Sequence, residues 1–371
     1  MQRRDFIKRL GGLLGLGAMA GGVAACDQGS TGNAPATSNS SQRFKWKMVT
    51  TWPRNFPGLG TGAQRLADTI TRMSGGQLTV KLYSAGEIVP ALEAFDAVAN
   101  GSAEMAHGAA YYWKGKAPSA QFFAAVPFGM NAQEMHAWLY HGGGQELWKK
   151  AYAPFGILPF AAGNSGVQMG GWFNKEIHSP ADLEGLKMRI PGLGGEILER
   201  AGGLPVTLPG GEIFTSLKTG VIDATEWVGP WNDLAFGLHE AAKYYYYPGW
   251  HEPGSVLECL VNEEAFAALP EHLQAVVELA CQAVTTDMLA EYTAQNPAAL
   301  KALVEEHGVI LKPFPDSVMR RLRELSEELV AEMAAEDPLV AEVAESFRNF
   351  KAPVMAWHEI SEEAFYKARK A

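Results

Sequence analysis

The chain has 371 residues, enough for two or three domains, and is 47% hydrophobic, 19% charged and 10% aromatic. Such a composition buries a sizeable core and excludes a disordered or fibrous protein. The formal charge of −10 argues against nucleic acid as a partner, because a phosphate backbone is gripped by a basic surface, and three cysteines are too few for a disulfide scaffold.

Residues 1–9 hold four basic side chains and one acid, and residues 10–25 carry no charge. That apolar run is too short for a stable membrane anchor, and with its basic start it reads as an export signal over 1–25. Val23-Ala24-Ala25-Cys26 resembles a bacterial lipobox, in which the cysteine receives lipid and becomes the new N-terminus. Arg3-Arg4-Asp5-Phe6-Ile7-Lys8 resembles a twin-arginine signal; an ordinary secretory signal with two adjacent arginines is the alternative. Removing residues 1–25 leaves a net charge of −13. Asp27 after the lipidated position resembles a signal for retention at the inner membrane. Residues 26–43 are small and polar and read as a lipidated tether. Cys259 and Cys281 then remain, and spacing leaves open whether they pair. Gly15-Leu-Gly17 follows no predicted strand and lies in the removed leader, so it is no dinucleotide fingerprint.

In the body, 44–52 alternates as a strand stopped by Pro53, and 64–73 is a helix ended by Gly75-Gly76. A strand over 77–83 follows. Pro90 opens a helix to Ala99 with Gly101 as its stop, and 104–109 is a short strand. The spacing predicts one helix over 132–149 and a buried strand over 155–162. This alternation predicts a parallel sheet with helices on its faces. At an offset of 119 residues Gly75/Gly194, Gly76/Gly195, Pro90/Pro209, Glu93/Glu212, Phe95/Phe214 and Gly101/Gly220 are identical, and Glu104/Asp223 are both acids. Chance in a glycine-rich chain is one reading. The other is two α/β lobes of similar plan with a ligand cleft between them. Residues 270–306 and 316–350 are rich in Ala, Leu and Glu with helical spacing; they buttress the lobes or pack on another subunit.

No His-Glu-x-x-His, Gly-x-Ser-x-Gly or Gly-x-x-x-x-Gly-Lys-Ser/Thr occurs, so zinc hydrolase, serine hydrolase and phosphate-loop chemistry lack support. The informative stretch begins at residues 182–192 (DLEGLKMRIPG). It reads as a strand ending at Arg189, with Pro191 turning the chain out of the sheet. A guanidinium there either meets a carboxylate in two parallel hydrogen bonds or makes a surface salt bridge. Residues 212–231 and 244–258 place Glu226 and Glu252 in loops beside Trp227 and Trp250. Two acids with a nearby amide oxygen suit a hard cation such as calcium; two exposed loop acids are the alternative.

The leader, the tether and the segments DLEGLKMRIPG and EIFTSLKTGVIDATEW resemble the extracytoplasmic solute-binding proteins of TRAP transporters, over about residues 44–350. Asn164-Ser-Gly-Val-Gln168, Glu226-Trp227 and His251-Glu252-Pro-Gly resemble the branch that binds small 2-oxo or 2-hydroxy monocarboxylates, such as pyruvate or lactate, through a bound sodium or calcium ion. The resemblance implies that Arg189 fixes the substrate carboxylate. It implies that Gln168, Glu226, the Trp227 carbonyl and Glu252 hold the cation, that Asn164 hydrogen-bonds the substrate, and that Trp52 and Tyr112 close the pocket. It further implies an α/β, two-lobed periplasmic binding protein fold with a ligand cleft and long C-terminal helices. Lobe I is expected over 44–164 and 255–295, lobe II over 165–254 and 296–320, and the C-terminal helices over 321–371. The expected protein is a receptor, not an enzyme. It sits in the periplasm, anchored by Cys26 to the inner membrane, and hands a small carboxylic acid to separate membrane permease subunits; it is a candidate homodimer. The competing readings are a lipid-anchored, metal-assisted enzyme acting on carboxylates, and an adhesive or scaffolding lipoprotein.

Overall fold

The computed structural model describes residues 42–370. The export signal over 1–25, Cys26 and all but the last two residues of the tether lie outside the described residues. Eleven strands build two sheets: β1 Phe44–Thr50, β2 Leu78–Tyr83, β3 Met105–Gly108, β4 Ile157–Asn164, β5 Gly171–Phe173, β6 Lys187–Arg189, β7 Leu204–Val206, β8 Ala224–Thr225, β9 Tyr244–Tyr247, β10 Val256–Asn262 and β11 Ile310–Pro313. The first sheet runs β2-β1-β3-β10-β4 and the second β11-β9-β5-β8-β6-β7.

The expected all-parallel sheet is corrected to two mixed ones. β1 pairs in parallel with β2 and β3, but β10 enters between β3 and β4 antiparallel to both. In the second sheet β5 runs antiparallel to β8 and β9, while β6 is parallel to β7 and β8. The cause is the chain path. After Asn164 the chain leaves the first sheet for the second, and β10 brings it back from the opposite direction.

The 119-residue repeat is structural in its second half only. Gly75 and Gly76 make the turn after the helix Leu59–Met73, whereas Gly194 and Gly195 lie inside the helix Gly192–Arg200. Pro90 and Pro209 each precede a helical turn, and Gly101 and Gly220 close those segments at φ of 73° and 75°. Glu104 and Asp223 do the same job in the two sheets. Each carboxylate accepts a backbone N–H of the neighbouring strand one residue before the registered pairs begin, Lys47 N at 2.7 Å and Lys187 N at 3.1 Å.

The single helix expected over 132–149 is two, Ala132–His141 and Gly144–Tyr152, because Gly143 takes a left-handed φ of 87° between them. The two halves stay together through Phe123, which stacks on Trp138 at 5.6 Å and on Trp148 at 5.2 Å. The C-terminal region holds the helices Glu271–Glu305, Asp316–Glu336 and Pro338–Ile360. The last two are split because Pro338 disfavours helical backbone at Asp337, whose side chain caps the next helix instead. No helix among the described residues is long and apolar enough to cross a membrane.

Candidate functional site

The site forms where strand ends of the second sheet meet loops that return to the first. Arg189 is the last residue of β6, in register with Thr225 of β8. Pro191 then leaves the sheet and caps the helix Gly192–Arg200. The guanidinium is 1% exposed, so it is no surface salt bridge. Its Nε donates to Leu208 O at 3.2 Å, Nη1 to Glu226 O at 3.3 Å and to the Glu226 carboxylate, and Nη2 to Tyr112 Oη at 3.2 Å. It also stands 5.1 Å from the ring centroid of Trp227. Burial is the largest single influence and works against its charge, but Glu226, Tyr112, Tyr111 and Glu252 together outweigh it and raise the arginine above its ordinary value.

Glu226 follows β8 directly and its N–H donates to Arg189 O at 3.2 Å, so the sheet sets the pairing of the two side chains. Both acids expected in loops are there, and both are buried, which removes the reading of two exposed loop acids. Glu252 Oε2 accepts from Gln168 Nε2 at 2.7 Å and from the Ser255 hydroxyl. Gln168 is tied on by backbone as well: its N–H donates to Glu252 O at 3.1 Å, and its carbonyl accepts from Gly249 N at 2.9 Å. Burial, and after it the Glu226 charge, pushes the Glu252 carboxyl up to about 7.

The donor set fits a hard cation. Gln168 Oε1 is buried with no hydrogen-bond partner, although its amide nitrogen is fully used. One ligand atom each from Glu226, His251 and Glu252 lies within 4.8 Å of the others, and all three residues are buried. An orphaned amide oxygen beside two carboxylates is costly to desolvate unless an ion gathers them.

Trp52 and Tyr112 come from the first sheet's side. Trp52 packs edge-to-face on Trp227 at 6.2 Å, and Tyr112 accepts the Arg189 hydrogen bond. Asn164 is the last residue of β4, where the chain changes sheets. Its Nδ2 donates to Gly254 O and to His136 Nε2, both at 3.2 Å, and its Oδ1 accepts from Gly166 N at 2.7 Å. Its polar atoms are thus spent on the crossing.

A family model described as bacterial extracellular solute-binding protein, family 7, matches residues 48–337. The chain belongs to this family. Its members are solute-binding receptors rather than enzymes. A monocarboxylate 2-oxoacid-binding periplasmic protein of Nostoc sp. is 41% identical over 343 residues, covering 92% of this chain and 93% of that protein. A TRAP periplasmic solute-binding protein from Pseudoalteromonas atlantica, solved with bound sodium and pyruvate, superposes with a TM-score of 0.86 at 43% identity, over 88% of this chain and 99% of that one. Another, from Colwellia psychrerythraea with bound calcium and pyruvate, gives a TM-score of 0.86 at 44% identity, over 88% of this chain and all of that one.

In this family-7 receptor His251 is the site residue that sequence reasoning passes over as a ligand. It registers only as a histidine beside Glu252. Its Nε2 lies 3.4 Å from Glu226 Oε2, and its Nδ1 is buried without a partner. The signal was the unbroken His-Glu-Pro-Gly run: a loop of consecutive polar residues bounded by Pro and Gly beside a tryptophan.

Proposed function

We propose that this protein is the substrate-binding receptor of a TRAP-type secondary transporter and captures a small 2-oxo or 2-hydroxy monocarboxylate of the pyruvate and lactate kind together with a cation. The observation that carries the reading is the convergence, in one buried spot, of the Arg189 fork, the orphaned Gln168 oxygen and the Glu226–His251–Glu252 donors. Arg189 holds the substrate carboxylate. Gln168, Glu226, the Trp227 carbonyl and Glu252 hold the ion, and His251 adds a donor beside Glu226. The ion supplies a positive centre that a carboxylate oxygen and the neighbouring 2-oxygen chelate together, which makes the 2-position decisive. Trp52 and Tyr112 wall the pocket from the first lobe, and we assign Asn164 to the crossing rather than to the substrate.

Charge supports a divalent ion. Arg189 balances one of the two buried carboxylates, and a second negative charge remains once an ion displaces the proton that burial favours on Glu252. A divalent cation plus a substrate carboxylate brings the pocket to neutrality, whereas a monovalent cation leaves the surplus in a dry site.

The lobes are taken as 44–164 with 255–295 and 165–254 with 296–320, followed by the helices of 321–371. The sheet changes after Asn164 and before Val256 support those limits. Closing contacts run between them: Lys114 pairs with Glu196 at 2.8 Å, and Asn232 Nδ2 donates to Pro57 O at 2.8 Å. Ligand contacts from both sides favour the closed state by their differential affinity alone. The closed form is the one that membrane permease subunits read. Lipid on Cys26 keeps the receptor at the inner membrane. Trp357, Ile360, Phe365 and Tyr366, all exposed on the C-terminal helices, support a homodimer that covers them.

Native mass spectrometry of the purified protein tests the reading. The expected result is one small acid and one ion per chain, released unchanged. Acid bound without an ion, or consumed with turnover, overturns it.

A further inference from the structure

His107 is the third residue of β3, the strand between β1 and β10, and is 0% exposed. An imidazole in that position is expensive to bury unless both ring nitrogens are partnered. They are, in opposite senses. Nε2 lies 3.1 Å from the Ala162 carbonyl, which only accepts, so Nε2 carries the proton. Nδ1 is then a lone pair, and it accepts from Trp52 Nε1 at 2.8 Å. Burial lowers the His107 pKa to about 4, which keeps the ring neutral and able to accept.

Trp52 has left the strand by this point. Its backbone is tied by its N–H to Thr50 Oγ1 at 3.3 Å and by its carbonyl to Ala85 N at 3.0 Å. Its indole reaches the pocket wall, 6.2 Å from Trp227 and 6.3 Å from Tyr112, the residue that accepts from Arg189. The indole N–H is the one polar handle that fixes the rotation of that ring.

We infer that His107 is a positioning residue for ligand capture: through Nδ1 it locks the Trp52 indole as a wall of the acid pocket. The inference rests on the pocket reading given above.

Two substitutions separate this role from simple core filling. In His107→Asn the side-chain oxygen lies where Nδ1 was and keeps the Trp52 acceptor, losing Ala162. In His107→Gln the amide reaches the Ala162 carbonyl and Trp52 loses its acceptor. Each gives up one buried hydrogen bond, so thermal midpoints fall alike. Calorimetry with pyruvate in the presence of calcium should show His107→Gln weaker by about tenfold and His107→Asn within about threefold of the unsubstituted protein. Equal affinity in all three proteins, or an equal loss in both variants, overturns the inference. The indole N–H resonance of Trp52, assigned by its loss in Trp52→Phe, should shift in His107→Gln and hold in His107→Asn. Should the unsubstituted protein take up no pyruvate, the pocket reading falls, and this resonance alone decides: an unchanged signal in His107→Gln overturns the positioning role.

Discussion

Arg189 ends β6, Glu226 directly follows the adjacent parallel strand β8, and the two pair with both side chains 1% exposed. The same Glu226 that holds the guanidinium also faces His251, so one carboxylate joins the proposed anion-binding and cation-binding halves of the pocket.

Arg189→Ala should therefore do two things. Acid binding should become undetectable by calorimetry. Stability should fall as well, by about 3–5 kcal/mol, because Glu226 is left charged and buried without its partner. Adding Glu226→Gln to Arg189→Ala should recover much of the thermal midpoint and none of the binding. A single variant that keeps full affinity removes Arg189 from the site.

Glu226→Gln keeps the shape and removes the charge. Titration with pyruvate at rising calcium should show the calcium dependence weakened at least tenfold, about 1.4 kcal/mol. Identical calcium dependence in the two proteins contradicts the ligand role of Glu226.

Gly249 is a positional test that touches no charged group. A Cβ there would strike the backbone carbonyl of Gln168, the residue whose unpartnered amide oxygen we assign to the ion. Gly249→Ala should push that segment aside and reduce ion affinity more than overall stability. Overpacking of this kind costs about 1–3 kcal/mol. An unchanged calcium affinity alongside a lowered midpoint would show that the Gln168 carbonyl region does not set the ligand.

Glu258 sets a pH trend. It is fully buried on β10, where it accepts from Trp113 Nε1 and from Tyr152 Oη at 3.0 Å. Burial outweighs these hydrogen bonds and raises its pKa from 4.5 to about 8. The folded state thus binds the proton more tightly than the unfolded chain. Its stabilising contribution is complete below the unfolded value and is lost as pH rises through about 8. Melting curves across that window should show a falling midpoint, and Glu258→Gln should flatten the fall. Parallel slopes in the two proteins refute the assignment.

Much of the site was legible because its logic is local. A strand that ends at Arg189 two residues before Pro191 has to deliver that side chain at the sheet edge, and it does. The repeat announced itself where it has a mechanical job: Glu104 and Asp223 receive equivalent strand N–H groups. What stayed hidden depends on distant chain. Nothing near residue 256 says that β10 will run antiparallel between β3 and β4. The burial of Glu226 and Glu252 is decided by Arg189, Gln168 and Ser255, which no spacing rule connects to them. Asn164 resembles a substrate ligand by its motif, and its amide bonds Gly254 O and His136 from distant chain as well as the nearby Gly166 N–H.

The helix Glu271–Glu305 is about 52 Å long at 1.5 Å per residue. Near its middle Met288 fills the space beside Gly163 of β4, and further along Tyr292 and Asn296 bond to Asn232 and Trp231 of the helix Pro230–Ala235 on the other sheet's side. One rod thus strings both bodies like an axle. Pro297 lacks an N–H and leaves one rung of that rod open just past the last of these attachments. The lobe motion proposed above must either roll the two sheets around this axle or bend it at that missing rung. The ease of that proposed opening is thereby written into a helix that carries none of the residues assigned to the pocket.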